Sequence, residues 1–308
     1  MRRGSGAGRA VVGGAALCVF MAAAAGTERL SVKVGACRLE ALPEQRVHLQ
    51  ALAERAAVVL PRVERELAAH PAAPYRIVLI PGGPVRDPEI ARLDSAAPRW
   101  AAGFLMPERR VGAIRIARAD RYPYSDLASV LVHEAVHMIL HDAAGREFPR
   151  WFGEGVATVL ERAWGLRDVV VYSSSLLTGR LPTLGEMDEA FASGGARART
   201  AYAASFDFVM WTVRRHGPDS LGAIIQETSR ASFTEAWRMV TGEPLARSES
   251  RWRRGSLILY RWVPALTGTG TLWIAITLLV FLAAARRRAR SREILERWER
   301  EGDFGQEW

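Results

Sequence analysis

Cysteine is nearly absent from this 308-residue chain, which contains only Cys18 and Cys37. Cys18 lies inside an apolar segment near the N-terminus that has the features of a secretion signal. Removal of that segment would leave Cys37 alone, and a single cysteine cannot form an internal disulfide. The scarcity of cysteine therefore excludes a small fold that depends on disulfides for its stability.

Lysine is also nearly absent, because Lys33 is the only one in the sequence. Arginine supplies almost all of the positive charge, and the formal net charge is +9. Together with abundant alanine and glycine, this composition is typical of a bacterial protein from a GC-rich genome. Many of the arginines flank apolar segments near the chain ends, and no nucleic-acid-binding motif is present. We therefore expect anionic lipid headgroups, and no nucleic acid, as partners of these basic residues.

The N-terminus has the order of features found in secretory signal peptides. Arg2, Arg3 and Arg9 supply positive charge, and an apolar run from Ala10 to Ala25 ends in small residues. This pattern predicts a signal peptide over residues 1–26, with cleavage near Ala25. An uncleaved membrane anchor is the alternative interpretation. In both cases we expect the residues that follow to be exported.

A second apolar segment, from Val263 to Ala285, carries no charge and is long enough to span a bilayer. A cluster of arginines follows between Arg286 and Arg292, and such a cluster favours the cytoplasmic side. We therefore predict a single-pass cell-membrane protein with an extracytoplasmic catalytic domain and a cytoplasmic C-terminus. The predicted parts are a domain over residues 27–254, a juxtamembrane segment and transmembrane helix over 255–285, and a short tail over 286–308.

The segment VLVHEAVHMIL, from Val130 to Leu140, places three polar residues in a stretch that is otherwise apolar. In a helix, His133 and His137 lie on one face, one turn apart, with Glu134 beside them. A helix that is apolar nearly all round is expected to be buried, and buried imidazoles need partners. A divalent metal satisfies both histidines, and in this HExxH pattern the glutamate acts as general base. A chance match on a core helix is the alternative, so a third ligand is required.

The segment PRWFGEGVATVLERAWG, residues 149–165, contains the best candidate for that ligand. It begins with proline and ends with glycine, as helices often do. Glu154 falls in its first turns among aromatic residues and glycines. Because glycine costs a helix roughly 1 kcal/mol, we expect Gly153 and Gly155 to mark close packing.

A catalytic zinc takes three protein ligands and leaves one position for water, a rule that the two histidines and Glu154 satisfy. Glu161 is a rival ligand, two turns further on and expected to be more easily solvated. His141 is another, but it lies one turn beyond the histidine pair. We expect His141 to lie at the C-terminal end of its helix, where a donor or cation is favoured.

The motif HEAVH, followed after a short loop by PRWFGEGVA, resembles the bacterial peptidase MA-like domains of the gluzincin metallopeptidases. Their pattern is HExxH and then P-x-W-[LF]-x-E-G-x-A, and flanking segments extend the resemblance over roughly Val32 to Trp252. It implies an α+β fold: a small mixed sheet with an edge strand, a zinc-binding active-site helix and a helical C-terminal half. It also implies one Zn²⁺ per chain at His133, His137 and Glu154, and Glu134 as general base.

The resemblance implies two further roles. Tyr202 matches a family tyrosine that donates a hydrogen bond to the developing oxyanion, with Tyr172 as runner-up and a core tyrosine as the alternative interpretation. Gly112 to Ile116 would be the edge strand that binds an extended peptide, or an ordinary edge strand. Thr158 stands one turn after Glu154, where thermolysin-like enzymes carry an aspartate that orients a ligand histidine. The residue that orients the histidine is therefore unassigned.

Together these features predict a membrane-anchored zinc metallopeptidase that hydrolyses peptide bonds in a peptide or protein substrate. The alternative, from a different class, is a non-catalytic extracytoplasmic domain that binds zinc and a protein or peptide partner. A surface scaffold without metal is a third interpretation. The presence of Glu134 favours the enzyme, because a structural zinc has no use for a general base.

Overall fold

A computed structural model gives the fold, and it describes residues 19–24, 27–98, 101–120, 124–144, 148–161, 172–175, 181–260, 273, 276–288 and 290. The chain divides into two compact units. The first, called the main unit here, comprises Met1–Gly165 and Pro182–Ser250, and the second comprises Leu166–Leu181 and Arg251–Trp308. The metal centre described below lies entirely within the main unit.

The main unit contains a six-stranded mixed sheet. Its strands are β1 Val19–Ala24, β2 Thr27–Val34, β3 Cys37–Ala41, β4 Tyr75–Ile80, β5 Gly103–Met106 and β6 Val111–Arg115. They lie in the order β1-β2-β3-β4-β6-β5. The central pairs β3–β4 and β4–β6 are parallel, whereas the outer pairs are antiparallel.

Helices make up most of the remaining described structure. They are α1 Arg46–Leu67, α2 Pro88–Ala96, α3 Leu127–Ala144, α4 Arg150–Glu161, α5 Met187–Ala192, α6 Gly195–His216, α7 Ser220–Thr228, α8 Phe233–Thr241 and α9 Leu245–Tyr260, with a single helical turn at 172–175. The predicted α+β class, with a small mixed sheet and a helical C-terminal half, is confirmed.

Helices cover both faces of the sheet, because its central strands are apolar on both sides. On one face, Leu39 and Ile77 belong to a core shared with Leu52 of α1 and Leu131 of α3. On the other face, α2 contributes Ile90 and Leu93 to a smaller core. Full burial of such a side chain is worth about 1.5–3 kcal/mol, so these two layers fix α3 against the sheet.

An aromatic cluster anchors α4 in the helical half. The ring of Trp151 lies 5.1 Å from Phe208, 5.7 Å from Phe233 and 6.0 Å from Trp237, measured between centroids. Phe152 lies 5.1 Å from Phe233. These aromatic pairs explain the PRWF sequence, since two adjacent rings hold the start of α4 against α6 and α8.

The predicted edge strand is wrong. Gly112 to Ile116 overlaps β6, which pairs with β4 on one side and with β5 on the other. The two strands form a hairpin through Pro107–Arg109, and its first strand, Gly103–Met106, lies outermost. The hairpin was predicted correctly, but the order of its strands across the sheet was not.

The predictions for the chain ends fall largely outside the described residues. Of the predicted signal peptide, residues 1–18 and 25–26 are not described, and Val19–Ala24 forms β1 against β2. Of the predicted span, residues 263–272 and 274–275 are not described, while large apolar side chains such as Trp273 and Phe281 are exposed. Within the described residues, no helix combines the length and apolarity that a bilayer crossing requires.

Candidate metal centre

The centre is built on α3, which is buried as predicted. Val130, Leu131 and Val136 are each 0% exposed, so the apolar sides of the helix are covered. His133 is 3% exposed, and the side chain of His137 is 28% exposed. The second histidine therefore faces the open side of the centre, while the first faces the protein interior.

α4 runs beside α3 and brings Glu154 to the two histidines. Its Oε2 atom lies 3.3 Å from Nε2 of His133 and 3.9 Å from Nε2 of His137. One ligand atom from each of the three residues lies within 4.8 Å of the others, so together they could hold a metal ion. The structure thus brings together all three residues that the sequence predicted as ligands.

Packing of α4 against α6 sets the position of Glu154. A Cβ atom on Gly155 would come within 2.7 Å of the carbonyl oxygen of Ser205 and of Cγ2 of Val209. At Gly153 the nearest atom would be 3.7 Å away, on His137. Close packing therefore explains Gly155, whereas the expectation that Gly153 is needed for the same reason is wrong.

Glu154 is charged although it is buried. Burial alone would raise its pKa, but the hydrogen bond from His133 and the nearby charges of the two histidines and Arg150 lower it to about 2. Thr158 donates a hydrogen bond to the backbone carbonyl of Glu154, at 2.8 Å. Thr158 therefore bonds within its own helix and does not orient a histidine.

The predicted base, Glu134, is 3% exposed and lies beneath the outermost strand. A Cβ atom on Gly103 of β5 would come within 2.6 Å of Oε1 of Glu134 and of Cγ1 of Val130. Only glycine leaves room for the carboxylate at that position. Burial raises the pKa of Glu134 to about 7, and the carboxylates of Glu154 and Glu161 raise it further against the lowering effect of His133. A pKa near neutrality suits a group that must accept and then release a proton.

The structure supplies the residue that orients a ligand histidine. Oε2 of Glu161 lies 2.7 Å from Nδ1 of His133, and the Glu161 side chain is 0% exposed. The expectation that Glu161 is more easily solvated is wrong, because α4 lies along α3 and both of its carboxylates face that helix. A carboxylate that accepts the Nδ1 proton leaves Nε2 free to bind a metal and fixes the ring.

The other candidates take separate places. His141 lies in the last turn of α3, near Asp142 and outside the ligand cluster, as expected. Tyr172 belongs to the second unit, where it is 0% exposed and stacks on Trp252. Tyr202 lies on α6, partly buried, and the charge of Glu154 contributes, after burial, to a pKa well above the usual tyrosine value.

Sequence analysis missed Tyr124. Its ring lies edge to face with that of His133, with 5.4 Å between centroids. Burial, followed by the charge of Glu134, raises its pKa well above the usual value. Tyr124 precedes α3 in an irregular segment without periodicity, so no pattern in the sequence singled it out.

Comparison with known proteins gives a match to one family. A sequence model of the Peptidase MA superfamily matches residues 94–257, which is more than half of the chain and includes the whole metal centre. The match begins in α2 and therefore also covers the hairpin above Glu134. No curated protein matched the sequence.

Proposed function

The chain belongs to the Peptidase MA superfamily, and on this premise we propose that it is a zinc-dependent metallopeptidase that hydrolyses peptide bonds. The observation that carries the proposal is the cluster of His133, His137 and Glu154 with a buried glutamate next to it. A structural metal site would need the three ligands but not Glu134. The arrangement therefore supports chemistry at the centre and not only stabilisation.

The donor set fits zinc. Two imidazole nitrogens and one carboxylate oxygen are ligands that zinc accepts, and three protein ligands are typical of a catalytic site that keeps a position open for water. His133 and Glu154 are buried, and Glu161 holds the far nitrogen of His133. Bound zinc would polarise the peptide carbonyl and make a water molecule more acidic.

The residues around the ligands would carry the proton transfers. Glu134 accepts a proton from the attacking water and then delivers it to the nitrogen of the departing amine. Tyr202 is the proposed donor to the oxygen of the former carbonyl, and Tyr124 is a second tyrosine close enough to be compared with it. We propose that β5, the outermost strand beside Glu134, pairs with the extended backbone of the substrate.

We also propose that the enzyme is anchored in the cell membrane and faces outward. The predicted signal peptide over residues 1–26 and the uncharged segment Val263–Ala285 with the arginines after it support this topology. The exposed apolar side chains of residues 278–282 would then be covered by lipid. The C-terminal tail would be cytoplasmic.

Two isosteric variants test the catalytic proposal. Glu134→Gln should keep zinc and the fold, because Glu134 is not a ligand, but peptide hydrolysis should fall by a factor of about 10² to 10⁴. Glu154→Gln should instead lose zinc, because a neutral amide oxygen binds the cation less tightly than a carboxylate. Melting temperature should fall with the metal, since a ligand that binds the folded state stabilises it.

Zinc content, melting temperature and hydrolysis of a broad peptide library are measured for the wild type and both variants. Equal hydrolysis by the wild type and Glu134→Gln would refute the proposed base. If Glu134→Gln is silent in every assay and partner binding is intact, the non-catalytic zinc-binding domain becomes the better explanation.

Protease added to intact cells tests the topology. A tag placed after Trp308 should be protected, while the domain over residues 27–254 should be accessible. Digestion of the tag with protection of the domain would reverse the proposed orientation.

A further inference from the structure

Arg150, the first residue of α4, brings a positive charge to the rim of the metal centre. Its Nε atom lies 3.5 Å from Oε1 of Glu154, whereas the other oxygen of that carboxylate, Oε2, faces the two histidines. The side chain of Arg150 is 42% exposed. The guanidinium group is therefore accessible from solvent while it remains next to a metal ligand.

A second contact restrains the guanidinium group. Cζ of Arg150 lies 4.9 Å from the centroid of the Phe191 ring, within the range at which an aromatic ring attracts a cation. Phe191 packs edge to face against Tyr202, with their ring centroids 5.0 Å apart. Because these rings come from α5 and α6, helices other than its own also position the arginine, on the same side of the centre as Tyr202.

The guanidinium group of Arg150 has donors to spare. Within the described residues its partners are the ion pair with Glu154 and the ring of Phe191, and no oxygen there accepts a hydrogen bond from it. Arg115 shows the opposite case, because Asp94 and several backbone carbonyls accept hydrogen bonds from all three of its nitrogens. A guanidinium group has five N–H donors in a planar fork that matches a carboxylate.

The charges of the centre explain why such a cation matters. Glu134, Glu154 and Glu161 all lie around the histidines, and they would repel an anionic group of a substrate. A neutral peptide gains nothing from a fixed guanidinium group at the rim, whereas an anionic peptide gains a charge-assisted hydrogen bond. The arrangement therefore favours substrates that carry a carboxylate close to the scissile bond.

We propose that Arg150 binds a carboxylate of the substrate and makes the centre selective for anionic peptides. This inference rests on the proposed peptidase function and narrows its substrate class. The carboxylate is either the C-terminus of the substrate or the side chain of an aspartate or glutamate next to the cleaved bond. Both sources offer the same two oxygens to the guanidinium fork, and the experiment below separates them.

The test measures binding apart from turnover. Full-length protein carrying Glu134→Gln is purified in detergent, kept at saturating zinc, and mixed with three pools of N-acetylated random hexapeptides. The first pool has a free C-terminus and no acidic side chain, the second is amidated and has none, and the third is amidated with one glutamate at a varied position. Retained peptides are quantified by mass spectrometry.

We expect one of the two anionic pools to bind about tenfold to a hundredfold more tightly than the neutral pool, as a hydrogen bond to a charged group does. The pool that binds more tightly identifies the source of the carboxylate. Adding Arg150→Gln should abolish the preference, and Arg150→Lys should retain only part of it, since an ammonium group keeps the charge but not the fork. Arg197→Gln is the matched control, because Arg197 is exposed and pairs with Glu189 instead.

Equal binding of all three pools, or a preference unchanged by Arg150→Gln, would overturn the proposal. Hydrolysis by the wild type distinguishes this failure from failure of the proposed function. Hydrolysis without anionic preference would leave the peptidase standing and remove the role of Arg150. Anionic preference without any hydrolysis would keep that role and count against the peptidase.

Discussion

Two groups of buried charges in the main unit differ in how they are neutralised. Beside α2, Arg29 donates hydrogen bonds to both oxygens of Asp87, at 2.8 and 2.7 Å, and one to Glu89 at 2.6 Å. Arg76 completes this cluster by pairing with Glu89 and with Glu40. Each carboxylate in this group faces at least one fixed guanidinium group, so the charges balance within the fold.

The metal centre has the opposite balance. Its three carboxylates, Glu134, Glu154 and Glu161, lie around two histidines, and among the described residues Arg150 supplies the nearby cation at the rim. The pKa values follow this difference: burial would raise that of Asp87, but Arg29 and two backbone N–H groups lower it, whereas burial raises that of Glu134 to about 7. Where charges hold the fold together the chain supplies both signs, and at the centre it leaves a deficit of positive charge that a divalent cation would fill.

Removing a carboxylate from the balanced cluster should have the largest effect on stability. Asp87→Ala leaves Arg29 buried without its bidentate partner and removes the side chain that accepts from the N–H groups of Glu89 and Ile90 at the start of α2. We expect a loss of about 3–5 kcal/mol in the free energy of unfolding, with zinc affinity of the folded protein unchanged. Urea denaturation and zinc titration measure the two quantities.

Asp94→Ala is the control for that variant. Asp94 also lies on α2 and pairs with Arg115, but it is 43% exposed, and backbone carbonyls would still satisfy Arg115. Its loss should cost much less. Equal destabilisation by the two variants would contradict the distinction between a balanced buried cluster and an exposed pair.

Removing the charge that orients His133 should affect the centre and spare the balanced cluster. Glu161→Gln replaces a carboxylate 2.7 Å from Nδ1 of His133 with a neutral amide, so zinc affinity should fall about 10- to 100-fold. Thr158→Val is the matched control, because Thr158 lies between the two glutamates on α4 and bonds to the backbone of its own helix. Competition with a zinc chelator gives both affinities, and similar values for the two variants would remove the orienting role.

A packing change should show that α4 is positioned by contact with α6 and not by ion pairs. Gly155→Ala forces a methyl group against Ser205 and Val209, so we expect a loss of about 1–3 kcal/mol in stability and weaker zinc binding. Gly153→Ala has ordinary contact distances, and better helix propensity should stabilise it by up to about 1 kcal/mol. Thermal melts of the two variants check the contrast, and it fails if both lose stability equally.

The smallest effect concerns acid. The folded-state pKa of Asp87 is lowered, so its stabilisation is fully present above the unfolded value of about 3.9 and is lost as the pH falls through the folded value. The difference in unfolding free energy between the wild type and Asp87→Ala should therefore be constant near neutral pH and shrink below about pH 3.9. A difference that grows on acidification would have the wrong sign for this linkage.

The metal ligands could be predicted because their geometry is local. Two histidines four residues apart must share a helix face, and only a nearby carboxylate in apolar surroundings was needed to complete the set. Glu161 was harder, although a spacing of seven residues from Glu154 also keeps it on one face. Its burial depends on α4 lying along α3 for its whole length, which is a tertiary fact that the sequence of α4 does not contain.

Strand order was not predictable for a similar reason. β5 and β6 are both short and apolar, and a hairpin pattern is the same whichever strand pairs with β4. Tyr124 was missed because its position depends on an irregular segment before α3. The features that the sequence encoded were those set by repeats within one element, and the features that it did not encode were choices between equivalent neighbours.

One consequence follows from the helix pair that carries the centre. The ligands, the base and the orienting carboxylate all fall between His133 and Glu161, on two consecutive helices, whereas β3, β4 and β6 pair in parallel through long crossovers. Closing a short loop costs less entropy than closing a long one, and contacts close in sequence form faster. The helix pair is therefore able to assemble the metal-binding face early in folding, before the sheet that covers it has finished pairing.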